Sequence, residues 1–199
     1  DTGLHCDDNT IEWLAGLGFQ NIIADGHIPL QPGQSSNLLY HHSQRKGFSI
    51  LLKNERLSDD LALRFNCREW SEYPLHAEKF AEWIRASYPA ESVNLFLNYE
   101  TFGEHLEAHI GLLQLVEELP EKIFKTSEIM FSNPSQVPMN HPDTGPLHLP
   151  ANGHVPFQGQ TLRMDALRAV YELEQAVRDA GDPSLLHDWR ALQTVDHFL

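Results

Sequence analysis

The chain is poor in cysteine and in basic residues, and it has no long apolar run. Only Cys6 and Cys67 occur among its 199 residues, and neither stands in a C-x-x-C pair. That excludes a disulfide framework and favours a reducing, cytoplasmic setting. Lysine and arginine total 14 against 28 acidic residues, a net charge of −14. Nucleic acids and anionic membrane surfaces require a basic face, so neither is expected as a partner, whereas a neutral ligand such as a sugar is compatible. No stretch approaches the roughly 20 apolar residues of a membrane span, and no signal-peptide pattern is visible. There is no G-x-S-x-G elbow and no glycine-rich phosphate loop, which removes the usual marks of a serine nucleophile and of a nucleotide site. Internal repeats and low-complexity tracts are also missing.

What is present is a core-forming composition, 41% hydrophobic, of a size that suits one domain or a large piece of one. The chain starts at Asp1 without a methionine and ends on an apolar His-Phe-Leu, so a fragment of a longer protein is expected. Helical spacing of Ile11, Leu14 and Leu17 in "DDNTIEWLAGLG" predicts a helix stopped by Gly18. "FQNIIAD" follows as a buried strand ending at Asp25. "LLYHH" and "GFSILLKN" read as strands, and "LSDDLALRF" as a short helix capped by Ser58. "PLHAEKFAEWIRASY" is an amphipathic helix, "SVNLFLN" the next strand, and "LEAHIGLLQLVEELP" a helix ended by Pro120. "EIMFSNP" is a further strand, residues 133–160 a long irregular loop, and "TLRMDALRAVYELEQAVRDAGD" one long helix stopped at Gly181. "PSLLHDWRALQTVDHFL" is a short helix running into the start of a strand. Helix, glycine, then apolar strand is the rhythm of a parallel α/β protein.

The residues with chemistry cluster where strands end. In "NLFLNYETFGEHLEAH" an apolar run gives way to Asn98, Glu100, Glu104, His105 and His109. Ligands in α/β proteins bind beyond the carboxyl ends of parallel strands, so these groups form a site, or they merely cap the helix that begins near Leu106. His105 and His109 have zinc-ligand spacing, but Leu106 stands where a metalloprotease needs its glutamate, and His141, His148 and His154 are irregularly placed. No metal and no cofactor is expected. Asp25 closes the first strand, and Asp196 with His197 would close another. Trp70 and Tyr73 could stack on a sugar face or belong to the core.

Taken together, "NLFLNYETFGEH", "RLSDDLALRF", "WSEYPLHAEKFAEWI" and "LQTVDHF" resemble the α-amylase-type members of glycoside hydrolase family 57. The resemblance implies the later part of an incomplete (β/α)₇ barrel across residues 1–199, with parallel strands alternating with helices. It also implies retaining chemistry on α-glucans or malto-oligosaccharides. The motif normally opens on an aspartate, the general acid/base, and that position here is Asn98. The nucleophilic glutamate of the family falls on Gly3 in "DTGL". Glu100, Glu104, His105, Asp196 and His197 match the family pattern as substrate-binding groups, with Asp25 beside them. Retaining glycosidases need two carboxyl groups about 5–5.5 Å apart. An asparagine amide does not supply the proton, and glycine offers no nucleophile. The expectation is an amylase-like protein that is catalytically impaired or binding-only. The alternative is an active α-glucan hydrolase or glucanotransferase in which another carboxylate, such as Glu100, takes the acid role.

Overall fold

The computed structural model describes residues 4, 6–87, 89–125, 129–141, 143–149 and 161–194. They fall into two compact units, residues 1–153 and 154–199. The first unit opens with α1 (Asp8–Gly16), where the Asp7 carboxylate accepts the Thr10 amide at 2.8 Å and so fixes the N-terminus. β1 (Asn21–Ala24) leads into β2 (Tyr40–His42) and β3 (Arg45–Leu52). α2 (Glu55–Ala62), α3 (Ala77–Arg85) and α4 (Leu112–Phe124) follow, then the short α5 (Val137–Asn140) and β4 (Pro146–Leu147).

The sheet has the order β1-β3-β2-β4. β1 runs parallel to β3 in the register Asn21 to Ser49, and β2 runs parallel to β4. The pair β2–β3 is antiparallel, a hairpin closed at Ser43-Gln44. A wholly parallel set of strands is therefore corrected: two apolar strands two residues apart have no room for a crossover helix and must turn back on each other. β3 is the central strand, and its side chains alternate between two cores. Phe48, Ile50 and Leu52 point to the side that holds Ile11 of α1, Ala24 and Tyr40. Leu51 points to the other side with Leu39 and Val137. Each fully buried residue of this kind contributes on the order of 1.5–3 kcal/mol.

A third core joins the helices. Leu57 and Leu61 of α2, Phe80, Ala81 and Ile84 of α3, and Leu112, Leu115, Leu119 and Ile123 of α4 are all buried in it. The spacing i, i+3, i+7 along α4 puts its apolar residues on one stripe. Pro120 lies inside this helix instead of ending it. An interior proline costs about 3 kcal/mol, and burial of Leu119 and Ile123 on either side offsets it.

Other expectations are also revised. α2 is capped by Asn54, whose side chain accepts the Leu57 amide at 2.9 Å, and Ser58 is buried within the helix, accepting the Phe96 amide at 3.2 Å. "SVNLFLN" forms only a single parallel bridge, Lys53 to Asn94. The described part of "EIMFSNP", residues 129–134, is not a strand, and part of the long loop orders as α5 and β4. In the second unit the expected long helix is interrupted at Leu173, giving α6 (Thr161–Glu172) and α7 (Glu174–Ala180), with α8 (Pro183–Ala191) after them. The strand start expected after α8 lies outside the described residues.

Candidate functional site

The carboxyl ends of β1 and β3 open onto one cleft. Lys53 donates its amide to Ala24 on one side, and the next amide, Asn54, reaches Asn94 at 2.8 Å on the other. The end of β3 thus outruns β2 and collects the chain segment that leads to Asn98. The cleft has a volume of about 350 Å³, and its lining includes Asp25, His27, Lys53, Asp59, Asn98, Thr101 and His105. Asp25 and Asn98, 73 positions apart in sequence, therefore share one site.

One side of the cleft is a charged network. The Asp25 carboxylate accepts from the His27 amide at 3.1 Å and lies 3.0 Å from its ring Nδ1. His27 Nδ1 is also 3.4 Å from Glu55 Oε1, which accepts the Gly26 amide at 3.2 Å. Lys53 Nζ stands 3.1 Å from Glu55 Oε2 as an ion pair. Gly26 permits this packing, since a Cβ there would sit 2.2 Å from the Lys53 carbonyl oxygen. Burial raises the Glu55 pKa above the ordinary carboxylate value, and the hydrogen bond with Asp25 adds to the rise. Burial also opposes ionisation of Asp25, but the hydrogen bonds from Glu55 and from the His27 amide and ring outweigh it and hold its pKa low. The bond to Asp25, then the Glu55 charge, raises His27. The ligand atoms of Asp25, His27 and Glu55 lie within 4.8 Å of one another, the spacing a cation would need. The Lys53 ammonium already supplies a positive charge to Glu55.

The other side carries the motif. A 3-10 turn at Tyr99–Thr101 and the αL Gly103, with φ of 103°, fold the chain back so that His105 donates its amide to Glu100 at 2.8 Å. Asn98, Tyr99, Glu100, Glu104 and His105 are exposed, while Thr101 is buried at 3%. Asn98 and His105 line the cleft; Glu100 and Glu104 stand in the same turn outside its lining. His109 lies in a 3-10 turn at Ala108–Ile110 and faces a different cleft, so it does not share one donor set with His105. Gly3, Asp196 and His197 lie outside the described residues. Lys53 and Glu55 were not singled out in the sequence; the signal was there in "LLKNE", charged residues directly after the most apolar strand.

The profile of Glycosyl hydrolase family 57 matches residues 1–150, three quarters of the chain. The chain belongs to this family. A Methanocaldococcus jannaschii protein named "Putative alpha-amylase" is 41% identical over 121 residues, covering 61% of this chain and 25% of the relative. The family 57 chain thus spans about a quarter of the length of the curated relative it matches. No solved structure matches. No helix among the described residues is long and apolar enough to cross a membrane.

Proposed function

We propose that this family 57 chain is an amylase-like, α-glucan-binding protein with an impaired catalytic centre. The observation that carries the reading is Asn98. It lines the strand-end cleft, is exposed, and makes no side-chain hydrogen bond among the described residues. It stands where the family motif has its acid/base aspartate. An amide there still donates and accepts hydrogen bonds to sugar hydroxyls, but it has no acidic proton to give the leaving oxygen. In the same reading Gly3 occupies the nucleophile position, so the covalent route is lost as well. Asp25, Glu100, Glu104 and His105, with Asp196 and His197, would hold the glucan. The fold that accommodates this is a partial (β/α)₇ barrel over residues 1–199, supported by the family match and by parallel strand ends opening onto one cleft.

One observation favours a second reading, an active retaining hydrolase or glucanotransferase with a reassigned acid. The Asp25 and Glu55 carboxyls are pushed apart in pKa, the pattern that divides acid from base in many active sites. Hydrolysis of a chromogenic malto-oligosaccharide, with maltoheptaose binding by calorimetry, decides between them. The impaired-site reading expects binding without turnover, and only a trace of activity in Asn98→Asp combined with Gly3→Glu. Turnover by the unmodified protein that Glu55→Gln abolishes would replace it with the second reading.

A further inference from the structure

Leu4 lines the cleft that holds Asn98, and its backbone is left-handed, with φ of 53°. A residue with a branched side chain adopts that conformation only where its surroundings impose it. We propose that His42, which does not line the cleft, is a positioning residue for it: through Asp8 it seats the start of α1 on the sheet and so keeps Leu4 in the wall against which glucan binds. The proposal takes its ligand from the glucan-binding reading, while the placement of the wall is measured separately.

The ground is the way His42 is buried. Its side chain is 0% exposed, yet its Nδ1 has no hydrogen-bond partner among the described residues. A bare buried nitrogen carries a desolvation cost that a phenylalanine would not. What offsets it lies across the ring, where Nε2 is 2.9 Å from Asp8 Oδ1. A carboxylate only accepts, so Nε2 carries the proton and donates it, and Nδ1 is left with its lone pair. The imidazole is therefore kept for one bond, from the end of β2 to the first residue of α1. Leu4 stands four positions before Asp8, and its carbonyl accepts the Asp25 amide at 2.9 Å, just past the end of β1. The entry to α1 is thus tied to the sheet at both ends, through His42 and through Asp25.

The other holds on α1 do not set its position. Ile11 and Cys6 are buried against the sheet, but apolar burial is non-directional. Burial, then the Asp7 and Asp8 charges, push the Cys6 thiol up to about 12, so it stays neutral and adds packing only. The Arg45–Glu12 pair is 45% and 48% exposed, and Gln44 Nε2 reaches Asp8 Oδ2 only at 3.5 Å. Exposed pairs and long contacts hold little. The Asp7 cap, on the Thr10 amide, orders the helix end but not its seat on the sheet.

The experiment is amide hydrogen exchange and maltoheptaose calorimetry on the full chain carrying His42→Phe or His42→Gln. Phenylalanine keeps a ring and loses the donor, whereas the glutamine amide nitrogen has the reach of Nε2 and restores it. In His42→Phe the Asp25 amide, which reports the Leu4 contact, should exchange about fivefold faster or more. The Lys53 amide, bonded to Ala24 at 2.9 Å in the same cleft, should not change. Maltoheptaose should bind about three- to tenfold more weakly, the size of one lost hydrogen bond. His42→Gln should recover most of both losses. Asp8→Ala should repeat the His42→Phe exchange result, and the double variant should add nothing to it, because both changes remove one bond; Asp8→Ala also carries the test if His42→Phe does not fold. The proposal is overturned if the Asp25 amide is unaffected, or if the Lys53 amide accelerates with it, since His42 would then only pack the sheet. It is equally overturned if His42→Gln behaves as His42→Phe, or if faster Asp25 exchange leaves maltoheptaose affinity unchanged. Absence of maltoheptaose binding in the unmodified protein would sink the glucan reading instead, and the two amides would still decide whether His42 places the wall.

Discussion

The two sides of the strand-end cleft are built on opposite plans. On the side of β1 and β3, Asp25, His27, Lys53 and Glu55 are tied to one another. On the motif side the order is in the backbone. Amides of Thr101, Phe102, Gly103, Glu104 and His105 are all bonded within the turn. The side chains of Asn98, Glu100, Glu104 and His105 have no partner among the described residues. A group already paired must break a contact to meet a ligand, whereas an unpaired group on a fixed backbone gives up only solvent. The motif side is therefore the one equipped to meet a ligand at little cost, and the charged side sets the electrostatic character of the space in front of it.

The largest expected effect tests how tightly the charged side is packed. Gly26→Ala puts a methyl 2.2 Å from the Lys53 carbonyl oxygen and 2.8 Å from Glu55 Cγ. Overpacking of this kind costs about 1–3 kcal/mol, and a backbone contact places it at the upper end; denaturant unfolding measures it. Next is a matched pair of substitutions. Glu55→Gln leaves Lys53 without its carboxylate and should cost about 1–2 kcal/mol. Glu100→Gln on the exposed side should stay within about 0.5 kcal/mol. Equal losses in the two variants would erase the contrast between the sides. The smallest effect is electrostatic. The His27 pKa is raised by Asp25 and Glu55 above the usual 6.5. Its contribution to stability is thus complete below the unfolded value and is lost as pH rises through the folded one. Asp25, held low, contributes in the opposite sense: its share is present above the unfolded carboxylate value and lost as pH falls through the folded one. An NMR titration of His27 should show the raised value, and Asp25→Asn should bring it down. An unchanged His27 titration in that variant would mean the pair does not act as drawn.

Much of this plan was legible in the sequence, for physical reasons that differ by element. α1, α3 and the hairpin strands were readable because periodicity and local caps specify them over a few residues. Asp25 and Asn98 were expected at strand ends on one face; they do line one cleft, but the Asn98 segment is brought there by the bridge between Lys53 and Asn94 and is not itself a strand. Ser58 misled because a serine before acidic residues suits a cap, yet Asn54 fills that role four residues earlier and leaves Ser58 to receive Phe96. Pro120 misled because proline propensity is local, while the stripe that holds α4 together is tertiary. "SVNLFLN" has strand composition but only Asn94 finds a bridge, since pairing depends on a neighbour elsewhere in the chain. The role of Lys53 and Glu55 was hidden for the same reason: Gly26, 29 residues before Glu55, makes room for it.

Trp189 has an optical consequence. Its indole N–H donates to the Val170 carbonyl at 2.7 Å, joining α8 to α6, and the ring is 7% exposed. Trp13, in the first unit, is 66% exposed. A buried, hydrogen-bonded indole emits at shorter wavelength than one in water. A protein in which Trp13, Trp70 and Trp83 are replaced by phenylalanine would carry its remaining tryptophan emission in residues 154–199 alone, and, with tryptophan excited selectively over tyrosine, melting of that unit could be followed by the colour of its light.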